Sequence, residues 1–166
     1  MTGESASGVL IRSAFLDEAF AIASILREAF IEFEALYTPS AFAVTTPTFN
    51  EIQARWNEGP VWVAVQNEQP VGTVATVPKS AGLYVRSMAV LPVARGQGVA
   101  GQLLREVESF AATNNHKRLF LSTTPFLAGA IRLYELFGFQ RSDEGPHDLF
   151  GTSIFTMEKH LGNENE

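Results

Sequence analysis

The sequence predicts a mixed α/β protein, a central β-sheet flanked by helices, and three observations carry that prediction. Strand-length apolar runs and amphipathic runs of helical period succeed one another along the chain in the order β-α-α-βββ-α-β-α-ββ. A glycine-rich segment, Arg95-Gly96-Gln97-Gly98-Val99-Ala100-Gly101, separates a strand from the strongest helix. The 46% hydrophobic and 18% charged residues fit a folded globular chain. No uninterrupted apolar run approaches the ~20 residues needed to cross a bilayer.

Each element follows from its local pattern. Val9, Leu10 and Ile11 begin a strand, and Arg12 to Ala14 lead out of it. A helix is expected from Phe15 to Phe33, with Phe15, Ala19, Ile22, Ile25, Ala29, Phe30 and Phe33 as its apolar stripe, although no strong cap residue marks its start. Glu32 to Pro47 mixes aromatics, threonines and prolines and reads as a loop or broken helix; a second helix fits Phe49 to Trp56 and stops at Gly59-Pro60. Val61–Val65 and Val71–Val77 read as strands joined by the turn Asn67-Glu68-Gln69, and Pro78 to Gly82 turns the chain into the strand Leu83–Val90.

Beyond the glycines, Val99, Leu103, Leu104, Val107, Phe110 and Ala111 predict a helix to about Asn114. A strand over Arg118–Thr123 and a helix over Leu127–Phe137 follow, with Gly138 as its C-cap. The last strands are expected at Phe139–Ser142 and Ile154–Lys159, around a polar Asp143–Gly151 loop, and they offer edges for a homodimer. With no repeat or linker, residues 1–166 read as one domain with its core over 8–161.

Composition narrows the function. Twelve basic against eighteen acidic residues give a net charge of −6, which disfavours non-specific nucleic-acid binding. The same balance suits a cationic acceptor, though acidic surfaces also serve solubility. With no cysteine, disulfides, thiolate zinc sites and an acyl-cysteine intermediate are excluded. His116, His147 and His160 lack metal-ligand spacing, so no metal is expected. Met1 to Gly8 lacks the basic and apolar regions of a signal peptide, which makes a cytoplasmic enzyme without a membrane partner the expectation.

The glycine segment opens a helix, whose first N–H groups are unpaired and favour an anion, while glycines let a phosphate approach the backbone. Two patterns overlap there. Gly96-Gln97-Gly98-Val99-Ala100-Gly101 satisfies the G-x-G-x-x-G of dinucleotide sites and would suit a nicotinamide oxidoreductase. That motif asks for a strand running straight into the glycines and an acidic residue ~20 positions on. Here Pro92 intervenes, and the next strand ends in Ser122, Thr123 and Thr124.

The second pattern, Arg95-x-x-Gly98-x-Ala100, resembles the acyl-CoA pyrophosphate loop of the GNAT superfamily of N-acetyltransferases. Ala130-Ile131-Arg132-Leu133-Tyr134-Glu135-Leu136-Phe137-Gly138-Phe139 resembles that superfamily's helix-to-strand segment, and Met88-Ala89-Val90-x-Pro92 resembles the strand holding the pantetheine arm. The matches span roughly residues 83–140 in the expected order.

The resemblance implies a sheet whose two central strands splay apart, acetyl-CoA as acyl donor and a small-molecule or peptide amine as acceptor. It places the N–H groups of Gly96, Gln97, Gly98, Val99, Ala100 and Gly101 on the pyrophosphate. Arg95 either adds charge there or pairs with a nearby carboxylate. Met88, Ala89 and Val90 are expected to pair their backbone with the pantetheine, and a local distortion of their strand to aim an N–H at the thioester oxygen. Tyr134 is the expected catalytic residue, protonating the departing thiolate, against a plain core role. Without cysteine, direct attack in a ternary complex is the natural mechanism.

The chain departs from the superfamily pattern at two places. Arg86 and Ser87 stand where many members carry a carboxylate base, leaving Glu28, Glu32, Glu34, Tyr84 or relayed water as candidates, and keeping a non-catalytic acyl-CoA-binding module as an alternative. Leu127 stands where relatives often carry a cofactor-binding asparagine. Phe30 to Pro47, with Phe33, Tyr37 and Phe42, is expected to shape the acceptor pocket around an apolar or cationic group.

Overall fold

The computed structural model describes residues 8–162, so Met1–Ser7, most of the stretch read for a signal peptide, lies outside them. Strand β1 (Val9–Ser13) leads to a single 3₁₀ turn, Leu16–Glu18, and helix α1 (Ala19–Phe30). The helix expected over Phe15–Phe33 is therefore shorter, and its chain continues as a 3₁₀ segment over Ile31–Leu36. Its start is set by a carboxylate: Glu18 Oε1 accepts the Phe15 N–H at 2.8 Å, and Arg12 grips both Glu18 oxygens at 2.9 and 2.8 Å. That grip holds the Glu18 carboxyl below its ordinary pKa.

The broken-helix region resolves into α2 (Pro39–Thr45), which Thr38 caps by accepting the Ala41 N–H. Helix α3 (Phe49–Ala54) carries a capping box, with Thr48 and Glu51 each accepting the other's N–H at 3.2 and 2.9 Å. Strands β2 (Val61–Gln66) and β3 (Gln69–Lys79) form a hairpin whose turn residues Asn67 and Glu68 both adopt positive φ, as a two-residue turn demands. Strand β4 (Gly82–Val90), helix α4 (Val99–Thr113), strand β5 (Arg118–Thr123) and helix α5 (Ala128–Leu136) follow the expected order. Near the end come β6 (Gln140–Arg141), β7 (His147–Leu149) and β8 (Thr152–His160). Strand β7 lies inside the segment read as a polar loop; positive φ at Phe150 and Gly151 turns it back onto β8.

The strands form one sheet in the order β1-β2-β3-β4-β5-β8-β6, with β7 added to β8. Neighbours run antiparallel except β4 and β5, which are parallel and pair only at Leu83↔Leu119 and Tyr84↔Phe120. Past those pairs the two central strands diverge, so the sheet carries a wedge-shaped opening at its middle. One face packs on α4 and α5 through Val99, Leu103, Leu104, Val107 and Tyr134; the other packs on α1 and α3 through Ile22, Ile25, Leu26 and Ile52. Full burial of each such branched side chain is worth ~1.5–3 kcal/mol. A third, aromatic cluster of Tyr37 and Phe42 with Phe30, Phe33 and Phe126 covers one end of the opening.

Gly82 pins the closed end of the wedge. Its φ is +140°, and a Cβ there would stand 2.5 Å from the Arg118 carbonyl oxygen of β5. Gly82→Ala should destabilise the protein by ~3 kcal/mol, read by urea unfolding, through backbone strain and forced separation of the strands.

Candidate active site

The opening between β4 and β5 is a cavity of about 580 Å³, within the range of small-molecule sites. One wall is β4 from Tyr84 to Val90, and the facing wall is Leu121–Thr124 of β5 and its exit. Helix α5 contributes Gly129, Ala130, Leu133 and Tyr134, and the mouth is marked by Arg95 and Ala100.

Strand β4 is irregular where it meets the cavity. Thr73↔Ala89 and Ala75↔Arg86 are successive register pairs, so β4 spends one residue more than β3 across this step. Ser87, with φ +53°, marks the bulge. Such an extra residue leaves its backbone unpaired with the neighbouring strand and re-aims it. The distortion expected in this strand is thus present, beside Met88, Ala89 and Val90, which all line the cavity.

The glycine loop lies on the surface beyond the mouth. Gly96 and Gly98 have φ of +79° and +78°, and a Cβ on either would meet no atom within 4 Å. Gly98 is the left-handed N-cap of α4, and the first helical hydrogen bond runs from the Gln102 N–H to the Gly98 carbonyl at 3.1 Å. Among the described residues, the N–H groups of Gly96 through Gly101 have no hydrogen-bond acceptor. Open space above unpaired donors at a helix N-terminus is a cradle that fits a pyrophosphate.

The side chains of this segment take separate tasks. Val99 is buried in the core, and Gly101 faces Phe137, whose ring would lie 3.0 Å from an added Cβ, so both can offer a ligand only backbone. Gln97 accepts from Gln66 Nε2 at 2.7 Å. Arg95 donates to Glu32 at 2.6 Å and to the Ala29 carbonyl at 3.0 Å, tying the loop to the end of α1. The carboxylate pairing weighed for Arg95 is therefore present.

Tyr134 reaches the cavity from the buried face of α5, its ring 5.7 Å from Phe139. Its hydroxyl has no hydrogen-bond partner among the described residues. Burial, with Tyr37 nearby, pushes its pKa up to about 12. Tyr37 is itself raised by burial, partly offset by the Thr45 and Thr124 hydroxyls.

Among the described residues, no aspartate or glutamate lines the cavity. Glu28, Glu32 and Glu34 are exposed on the outside of α1 and the turn after it, with Glu32 bound to Arg95. Tyr84 alone of the side chains weighed as base lines the cavity. Leu127 lines it too, as the N-cap residue of α5, and offers no side-chain hydrogen bond. Arg55 carries no signal in the sequence, since a cation at a helix C-terminus normally reads as solvent-facing. It also concealed Leu149 and Ile154, which enter the cavity on the β7–β8 hairpin.

Fold, bulge and loop together define a CoA-dependent acyltransferase type of architecture, and comparison agrees. The family model described as Acetyltransferase (GNAT) family matches residues 22–139. The chain belongs to that family. It is 29% identical over 140 residues to the uncharacterized N-acetyltransferase YjgM of Escherichia coli K12, covering 81% of this chain and 83% of that protein. It is 36% identical over 89 residues to N-acetyltransferase 8B of Rattus norvegicus, covering half of this chain but only 40% of that longer relative. The crystal structure of PaiA N-acetyltransferase from Thermoplasma acidophilum in complex with coenzyme A superposes with a TM-score of 0.76 at 15% identity, covering 92% of this chain and 99% of that one.

Proposed function

We propose that this protein transfers the acetyl group of acetyl-CoA to a primary amine by direct attack within a ternary complex. The observation that carries the reading is convergence: the bulged strand and Tyr134 line one cavity between splayed strands, and the glycine loop lies just beyond its mouth, where Arg95 and Ala100 stand. Acetyl-CoA supplies a thioester activated for acyl transfer. The Gly96–Gly101 N–H groups hold its pyrophosphate, and the exposed backbone of Met88–Val90 pairs with its amide-bearing arm as an added strand would. A bulge N–H on β4 donates to the carbonyl oxygen, where negative charge builds as the amine attacks.

In the reaction the amine nitrogen bonds to the acetyl carbon, the carbon–sulfur bond breaks, and the amine gives up a proton as the thiolate departs. Tyr134, with a pKa of about 12, is a poor proton source for a thiolate whose acid titrates near ~8.5; full transfer is uphill by ~5 kcal/mol. Its role is therefore to donate a hydrogen bond to the sulfur while remaining neutral. With no carboxylate among the described residues lining the cavity, the amine's proton leaves through water, and the free-amine fraction sets the rate.

The test is release of CoA thiol from acetyl-CoA across a panel of primary amines. Amine-dependent release well above hydrolysis is expected. Tight acetyl-CoA binding with no release from any amine would instead favour a binding module, the reading that Arg86 in place of a carboxylate supports.

A further inference from the structure

We propose that the amine acceptor carries a carboxylate close to its nitrogen, as in an α-amino acid with an apolar side chain, and that Arg55 and Arg86 hold that carboxylate. The inference rests on the acetyl-transfer reading and names its acceptor class.

Two guanidinium groups reach the same part of the cavity from unrelated elements. Arg55 stands at the C-terminal end of α3, and Arg86 lies on β4 immediately before the bulge. Arg55 Nη2 donates to the Ser87 hydroxyl at 2.8 Å, which fixes it against the bulge residue itself. Arg86 donates to Glu58, yet its buried Nε–H has no hydrogen-bond partner among the described residues. Burial and the like charge of Arg86 both lower the pKa of Arg55.

Nearby carboxylates offset this only in part: the charges of Glu58 and Glu51 act on Arg55 in the opposite sense, but more weakly than burial and Arg86. Glu58 is engaged by Arg86 and half exposed, and the exposed Glu51 closes the cap of α3. Neither gives Arg55 a hydrogen bond. Two adjacent, partly desolvated cations and an unsatisfied donor are unfavourable by themselves. An incoming anion offsets the like charge and the lost solvation, and planar guanidinium forks match a carboxylate in a way a lysine would not.

The remaining geometry limits what that anion belongs to. Phe30, Phe33, Val44, Leu149 and Ile154 give the cavity an apolar wall, suited to a hydrocarbon or aromatic side chain. Ser87 is at once the partner of Arg55 and the bulge that re-aims the β4 backbone toward the reacting carbonyl. A carboxylate on the arginine pair therefore sits next to the reaction centre, and only a short spacer separates it from the attacking nitrogen. The cationic acceptor that net charge alone suits is disfavoured by this positive wall.

The experiment compares kcat/KM, by CoA release, for L-phenylalanine and L-leucine against phenethylamine, isoamylamine and L-phenylalaninamide. The carboxylates should be preferred at least ~10-fold, a typical effect of a charge-assisted pair. In Arg55→Met and Arg86→Met that ratio should fall toward one, with Arg86→Lys intermediate. Retained acetyl-CoA affinity shows that the variants are folded. Equal wild-type values for the two series, or a preference untouched in both methionine variants, overturns the inference while leaving acetyl transfer standing. If no amine releases CoA, titration of N-acetyl-L-phenylalanine against N-acetylphenethylamine into the CoA-loaded protein decides. Carboxylate-dependent binding lost in Arg55→Met supports the arginine pocket but not turnover, and no such preference overturns the pocket.

Discussion

Gly98→Glu is expected to weaken acetyl-CoA binding by about 100-fold or more, read by calorimetric titration. Two effects combine. The new side chain enters the open space above Gly98, where the pyrophosphate must approach the unpaired N–H groups, and its charge opposes an anion at a helix N-terminus. The fold itself tolerates the change, because an added Cβ meets nothing within 4 Å. Only the left-handed backbone is penalised, at ~1 kcal/mol, which shifts thermal unfolding by a few degrees. Gly101 provides the contrast: a side chain there strikes Phe137, so Gly101→Val should lose stability before it loses affinity. An unchanged Kd in Gly98→Glu would remove the loop from the ligand site.

Tyr134→Phe should lower kcat by ~10–10²-fold while leaving acetyl-CoA affinity nearly unchanged, because one donor to the leaving group is deleted. The ring and its packing against Phe139 remain. Its pKa of about 12 also fixes a pH profile. In the wild type kcat/KM should climb with the free-amine fraction and show no downturn near ~10, where an ordinary phenol would ionise. The same shift is a stability statement. A phenol raised to about 12 in the folded state favours folding fully below its unfolded value of ~10, and stability then declines by on the order of 1 kcal/mol per pH unit up to the folded value. Urea unfolding at alkaline pH should show that slope in the wild type and a shallower one in the phenylalanine variant.

The central part of the molecule was legible because its signals are local. The bounds of β5 match the expected Arg118–Thr123, and Gly138 ends α5 in a positive-φ turn. Pro92, the positive-φ Gly96 and Gly98, and the apolar stripe of α4 together place the loop at a helix start, because that geometry follows from residue type. The first helix is shorter than its apolar stripe predicts because its true cap is a tertiary partnership, Glu18 held by Arg12 of β1, with no capping residue at Phe15 to signal it. Strand β7 was hidden because only three residues pair, and their pairing depends on positive φ at Phe150, an unusual state for an aromatic residue. The acceptor side was least legible. Arg55 and Arg86 lie 31 positions apart in a chain whose fold alone brings them together.

The most direct test of the account is a crystal structure of the protein with acetyl-CoA. It should place the pyrophosphate on the N–H groups of Gly96–Gly101, the pantetheine along Met88–Val90, the thioester carbonyl at the Ser87 bulge and the sulfur beside the Tyr134 hydroxyl. A pyrophosphate bound away from the glycine loop, or a thioester outside the opening between β4 and β5, would contradict it.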